Sequence, residues 1–295
     1  MEQRLVNLMK KVLVLGATGL IGHQSYNYLD ATGQYRMYNF SFRKMLNNES
    51  VLVDARNESE LKAAIWDVRP DYIVNCIGVL IDGANSMPEN AIFLNAYMPH
   101  LLRKLADSIN AKLIHISTDC VFSGDKKTPY FEYDTKDGRG VYSQTKALGE
   151  IISDRHLTLR TSVVGPELKN NGEELFHWFM SQSGSVNGYT ASQWSGVSTI
   201  ELAKAIDSGI RNDITGIHHV TNNKSLSKYD ILMLFQKYTC KDITIIPVEG
   251  VVSDKSFVDT RKLIDIKIPS YEVMISDMIS VIRENPNSYP HYILN

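Results

Sequence analysis

The sequence predicts an α/β fold, a doubly wound parallel sheet with a smaller C-terminal lobe. Three features carry that expectation. Apolar runs of strand length alternate with segments of helical periodicity through the first 165 residues. Those runs are continuously apolar, as strands covered on both faces require. A glycine-rich turn, "GATGLIG" (16–22), separates the first strand from the first helix. In doubly wound folds that turn meets a dinucleotide.

The elements follow in order. "KVLVLG" (11–16) reads as a buried strand and "LIGHQSYNYLDA" as the helix after the glycine turn. "YRMYNFSF" (35–42) and "VLVDA" (51–55) are the second and third strands. A helix over 58–70 stops at Pro70, and "DYIVNCIG" (71–78) is the next strand. A long helical segment near 88–108 precedes the strand "AKLIHIST" (111–118). A further helix carries "VYSQTKALGE" and leads into "HLTLRTSVVG" (156–165). The rhythm then breaks at Gly165-Pro166. Residues 167–198 are irregular except for the amphipathic "ELFHWFMSQ", followed by a helix at 199–210 and a strand at 216–222. A helix at 226–239, a strand at 243–249 and a helix at 271–284 complete the chain. The expected division is a cofactor domain at 9–165, rejoined by 199–222, and a substrate lobe at 166–198 and 223–295.

Composition narrows the function. With 295 residues, 43% hydrophobic and 22% charged content and a net charge of −2, the chain has no basic field for a nucleic acid polymer. No apolar run approaches the ~20 residues of a membrane helix, so no membrane partner is expected. The N-terminal "MEQRLVNLMKK" lacks a signal peptide's apolar core and reads as a short ragged extension before Met9. Cys76, Cys120 and Cys240 form no CxxC and read as reduced thiols. The expected compartment is the cytoplasm, and no metal site is expected. His218 and His219 are adjacent on a strand and face opposite sides, so their spacing makes no ligand pair.

The glycine turn has a physical rationale. Gly16, Gly19 and Gly22 allow the backbone to approach a pyrophosphate at a helix N-terminus. No acidic residue lies between Asp30 and Glu49, where a carboxylate would select NAD. "FSFRK" stands there instead, with Ser41, Arg43 and Lys44 suited to a ribose 2′-phosphate. The cofactor expectation is NADPH, with NADH as the alternative. The competing reading makes Arg43 and Lys44 solvated loop charges. Asp54, at a strand end, either meets the adenine amino group or caps the next helix.

Tyr142 and Lys146 lie one helical turn apart, after a strand that ends in "STDCVFSG" (117–124). That strand brings Ser117 and Thr118 to the carboxyl edge of the sheet, where ligands bind. Tyr142 would give a proton to a carbonyl oxygen as hydride reaches carbon. Lys146 would lower the phenol pKa and hold the nicotinamide ribose, and Thr118 would hydrogen-bond the developing alkoxide. Cys120 has no paired base that would make it a nucleophile. Trp194, in an irregular polar loop, either stacks on a base or packs as a lid.

Together "GATGLIG", "NCIG" (75–78), Asn95 in "LNAYMPHLL", "STDCVFSG", "YSQTK" and "LRTSVVG" make the chain resemble an extended short-chain dehydrogenase/reductase with a Rossmann-type cofactor domain. "STD-x-VF-x-G" followed by "Y-x-x-x-K-x-x-x-E" is most similar to the dTDP-4-dehydrorhamnose reductase branch. The resemblance implies that Gly16, Thr18, Gly19, Leu20, Ile21 and Gly22 cradle the pyrophosphate and that Asp54 and Ala55 border adenine. It implies that Cys76, Ile77 and Gly78 line the cofactor cleft, with Asn95, Ser117, Tyr142 and Lys146 completing that set. Val79, Phe122, Val163, Gln193, Trp194 and Thr199 would face the substrate, the last three in the "Gln-x-x-Gly-x-x-Thr" stretch through Gly196.

Two departures stand out. Val163 replaces an aromatic, and an Arg-Pro pair near 256–259 is missing, leaving Lys255 as the nearest cation. The implied reaction is NADPH-dependent reduction of the 4-keto group of a nucleotide-linked 6-deoxyhexose for surface polysaccharide. dTDP-4-dehydro-L-rhamnose is the leading substrate, and 6-deoxytalose or N-acetylated precursors are the close alternatives. An epimerase or dehydratase of the same fold, or a non-catalytic NADP-binding regulatory subunit, are the rivals. The resemblance leaves room for a homodimer.

Overall fold

The computed structural model describes residues 9–126 and 128–294; the extension expected at 1–8 lies outside them. Strands β1 (Lys10–Leu15), β2 (Tyr35–Ser41), β3 (Val51–Leu52), β4 (Tyr72–Asn75), β5 (Lys112–Thr118), β6 (Leu157–Thr161) and β11 (Gly216–His219) form one parallel sheet. Its order is β11-β6-β5-β4-β1-β2-β3. The reversal beside β1 creates a crevice at the carboxyl ends of β1 and β4, the position for ligands in such sheets.

Helix α1 (Leu20–Ala31) follows β1, α2 (Glu58–Val68) follows β3, and a short α3 (Ile81–Ser86) follows β4. The 88–108 segment, α4, joins a turn at Pro88–Ala91, a π-helical stretch at Ile92–Tyr97 and an α-helix at Met98–Ser108. Helix α5 (Gly140–Gly149) carries Tyr142 and Lys146. Local chemistry sets the ends. The Asn57 side chain accepts the Glu60 N–H at the start of α2, and Arg69 closes that helix in the left-handed region ahead of Pro70.

Several strands are shorter than the sequence suggests. The strand expected at 71–78 stops at Asn75, whose side chain takes the Ile77 N–H at 3.1 Å and turns the chain out of the sheet. Only Val51–Leu52 of the 51–55 run pairs as a strand, because Asp54 and Arg56 close a polar turn. The 156–165 run divides at Ser162 into β6 and β7 (Val163–Val164), where the Ser162 carbonyl accepts the Val197 N–H. Gly196 permits that approach, since a Cβ there would lie 2.0 Å from the carbonyl oxygen.

Alternate β1 residues face opposite layers. Leu13 and Leu15 pack with Leu61, Ile65 and Leu102 on one side. Val12 and Val14 share a cluster on the other side with Ile206, Phe176, Phe235 and Met278. That second cluster continues into the C-terminal half, which contains α6 (Leu175–Ser181), β8 (Ser185–Tyr189), β9 (Ser192–Trp194) and β10 (Val197–Ser198). Helix α7 (Thr199–Arg211) packs against α1 and leads into β11. Further on come β12 (Leu226–Ser227), α8 (Lys228–Thr239), β13 (Thr244–Val248), β14 (Ser253–Asp254) and α9 (Tyr271–Glu284). The lobe pairs β13 with β8, and both β12 and β14 with β9.

A buried ion pair binds α5 to the sheet. Glu150, one residue past the helix, takes Arg160 of β6 in two bonds of 2.8 and 2.7 Å and the Ser117 hydroxyl at 2.7 Å. Lys136 approaches the same carboxylate at 3.2 Å. Glu150→Ala would leave the guanidinium buried without its partner and is expected to cost about 3–5 kcal/mol. Urea denaturation measures that loss; a change below about 1 kcal/mol would contradict the assigned role.

Candidate active site

At the carboxyl end of the sheet lies a cavity of about 630 Å³. One wall is the glycine turn with Gly19, Leu20 and Ile21; the next is the loop from Cys76 to Val79 after β4. Ser117, Thr118, Asp119 and Cys120 at the end of β5 form the floor with Tyr142 and Lys146. Val163, Glu167, Lys169, Glu173 and Glu174 close the far side. A polar recess of about 440 Å³ at the opposite edge, lined by Lys10, Asp71 and Lys112, contains none of the sequence-predicted site residues.

The glycine turn is sterically committed. Gly16 has φ +75°, and a Cβ on Gly22 would fall 2.1 Å from the Gly16 carbonyl oxygen. No side chain caps the N-terminus of α1 and no acid lies in its first turn, so the turn is electrically suited to an anion. Thr18 belongs to this turn.

Lys146 is buried and donates to the Ile116 carbonyl at 2.7 Å. Burial lowers its pKa to about 8, against the raising influence of Glu150. Tyr142 departs from expectation. Burial above all, then the Cys120 thiol, raises the phenol pKa, and Thr118 opposes them. The net shift in this geometry is upward where a lowered pKa was expected, and the phenol is held in its protonated form. Burial likewise pushes the Cys76 and Cys120 thiols up to about 12. Thr118 donates to Asp119 at 3.0 Å and accepts the Cys120 N–H.

Some sequence-predicted residues serve the site at one remove. Asn95, fully buried in the π-helical stretch, clasps Val79 by both backbone groups at 2.8 and 2.9 Å and also donates to Thr145. It shapes the Cys76–Val79 loop and does not line the cavity. Ser117 is spent on Glu150. Asp54 caps nothing; it pairs with Arg56 at 2.8 Å, and Asn57 is the cap of α2. Ala55 is buried beside it. Arg43 and Arg56 flank the exposed Phe42 ring at 4.8 and 5.3 Å, with Lys44 exposed nearby and the buried Ser41 hydroxyl unpartnered. Arg56 is a cation that the sequence reading overlooked.

The structure does not bring Phe122, Gln193, Trp194 or Thr199 to the cavity. Phe122 is buried and stacks on Tyr130 at 4.2 Å. Trp194 is 3% exposed, packs on Tyr271 and donates to Ser162 at 2.9 Å, so it has no face for a base. Thr199 is buried against Gly165, and Gln193 reaches the Thr190 carbonyl. The sequence reading missed Glu167, Glu173 and Glu174. Burial first, then Glu167, raises Glu174 to about 7. His218 and His219 are buried; His219 meets Arg160 at 2.8 Å and the Val258 carbonyl. Among the described residues, no helix is long and apolar enough to cross a membrane.

This architecture is a doubly wound Rossmann-type fold with Thr118, Tyr142 and Lys146 gathered in one cleft. Residues 9–253 match the RmlD substrate binding domain, and the chain belongs to that family. It is 31% identical over 165 residues to the dTDP-4-dehydrorhamnose reductase of Escherichia coli (strain K12), a match covering 54% of this chain and 53% of that one. The chain thus spans about half the length of that curated relative. It is 26% identical to the spore coat polysaccharide biosynthesis protein SpsK of Bacillus subtilis (strain 168), with coverages of 81% and 83%. A Bacillus anthracis dTDP-4-dehydrorhamnose reductase solved with NADP shares the fold: TM-score 0.80, 22% identity, and coverage of 93% of this chain and 100% of that one.

The pKa of Lys146 near 8 bears on ligand binding. The ammonium is present below that pH and lost above it, so a ligand hydroxyl held by it loses a charged donor as pH rises. NADPH fluorescence titrations should show a Kd that is level below about pH 8 and climbs above it. A Glu174→Gln background removes the carboxyl that titrates close by. A Kd level to pH 9.5 would contradict the assignment.

Proposed function

We propose that this chain is an NADPH-dependent reductase of the 4-keto group of a nucleotide-linked 6-deoxyhexose. The leading substrate is dTDP-4-dehydro-L-rhamnose or a close relative on the 6-deoxytalose or N-acetylated branches, made for surface polysaccharide. The observation that carries the proposal is the convergence of Thr118, Tyr142 and Lys146 on one cleft that opens onto the glycine turn. The names of the curated relatives and of the NADP-bound neighbour support the same reading. A cytoplasmic location belongs to it, as does assignment of 9–165 with 199–222 to the cofactor and of 166–198 with 223–295 to the sugar.

The cofactor fits the residues present. The uncapped N-terminus of α1 and the close-packed glycines suit a pyrophosphate. Arg43, Lys44 and Arg56 suit a 2′-phosphate, since guanidinium forks match phosphate geometry. When bound, NADPH would supply hydride to the carbonyl carbon. Tyr142, kept protonated by its surroundings, donates its proton to the carbonyl oxygen. Thr118 turns its hydroxyl to that oxygen and stabilises developing charge. Lys146, hung from the Ile116 carbonyl, would help to hold the ribose. The Cys76–Val79 loop, fixed by Asn95, excludes water from the cofactor side.

Tyr142→Phe should lower kcat by about 10²–10⁴-fold, the range for a positioned general acid, while NADPH binding persists. Near-native turnover by the folded variant would remove Tyr142 from the mechanism. Arg43→Ala should weaken NADPH by about 1–3 kcal/mol and NADH little, because only the former carries the 2′-phosphate. Equal losses for the two cofactors would contradict the assignment of Arg43.

A further inference from the structure

The 286–294 tail lies beyond the residues that match the family, yet two of its tyrosines reach the two walls of the cleft. Tyr289 and Tyr292 are 3% and 7% exposed. The Tyr289 hydroxyl lies 2.9 Å from His23 Nε2 and accepts a bond from Gln24. His23 Nδ1 lies 2.7 Å from the carbonyl of Gly19, which lines the cavity. A carbonyl can only accept, so Nδ1 carries the proton and the neutral ring accepts at Nε2. Tyr289 must therefore donate to His23, and the Gln24 amide fills its oxygen. Burial lowers the His23 pKa to about 4, consistent with the neutral ring.

Tyr292 builds the same relay on the other wall. Its oxygen accepts the Glu167 N–H at 3.0 Å, and its hydroxyl lies 2.9 Å from His177 Nδ1 on α6. The Glu167 carboxylate in turn accepts the N–H groups of Glu173 and Glu174 at 2.8 and 3.0 Å. Gly172 leaves room for that clasp, since a Cβ there would sit 2.3 Å from the carboxylate. The loop that presents Lys169, Glu173 and Glu174 to the cavity is thus fixed through Glu167.

We infer that the tail is a strap with two separable duties: Tyr289 positions the glycine turn through His23, and Tyr292 positions the 167–174 wall through Glu167. The inference rests on the cofactor and substrate reading above. Both are positioning residues, since neither is among those lining the cavity.

The two duties predict a crossed result. Tyr289→Phe should raise the Kd for NADPH about tenfold, the order expected when a buried polar group loses its partner, and leave the Kd for dTDP-rhamnose near native. Tyr292→Phe should do the reverse. His23→Leu breaks the first relay at its other end and should match Tyr289→Phe, which guards against a variant that fails to fold. NADPH fluorescence and calorimetry with dTDP-rhamnose on the full chain read both constants. Folded variants with lowered Tm but unchanged constants, or with both constants shifted alike, overturn the strap alone. Wild-type protein that binds no NADPH overturns the cofactor reading and the strap with it.

Discussion

The carboxylate of Glu150 is the point on which the site's geometry depends. It is buried, it takes two bonds from Arg160 and one from Ser117, and it sits four residues after Lys146. Three parts of the sheet edge therefore meet at one charge: the end of β5, the body of β6, and the helix bearing Tyr142. Lys146 needs that arrangement, since a buried ammonium without a nearby anion would tend to shed its proton. Its pKa near 8 marks the balance between burial and Glu150. Arg160 extends the network to His219 and so to the loop at Val258 in the C-terminal half.

Around that anchor, the cleft is shaped by residues that hold its loops in place. Asn95 sets the Cys76–Val79 loop, with α5 drawn so close that a Cβ on Gly149 would lie 1.9 Å from the Asn95 carbonyl oxygen. Glu167 sets the opposing loop, and Ser162 steers the chain from the sheet into the lobe. Three acids, Glu167, Glu173 and Glu174, stand on the far wall of the cavity. Glu174 has a carboxyl poised near neutrality beside Glu167, so the net charge of that wall depends on pH in the physiological range.

Much of this was legible in the sequence where the signal is local. The alternation of strand and helix, the glycine turn and the Tyr142–Lys146 spacing depend on neighbours within a turn or two, and the structure has them in the expected order. Strand ends were less legible because side chains far from the pattern decide them, as Asn75 does for β4. Tertiary partnerships were not legible at all. Nothing near Trp194 announces that Ser162 and Tyr271 will bury it, and Phe122 reads as a pocket residue until Tyr130 stacks on it. The phenol of Tyr142 is governed above all by burial, then by Cys120 and Thr118, which only the fold assembles around it. Glu150 gave one hint, the four-residue step after Lys146, but its pairing with Arg160 crosses from helix end to strand.

On the proposed function, this cleft turns over a nucleotide-linked keto sugar and does not merely hold a dinucleotide. The most direct test follows NADPH absorbance with purified protein across a panel of nucleotide-4-keto-6-deoxy sugars, with each product identified by NMR. The expected result is stoichiometric NADPH consumption with at least one dTDP-linked member and a product reduced at C4. Saturable NADPH binding with no consumption across the whole panel would contradict it and favour a cofactor-binding partner subunit.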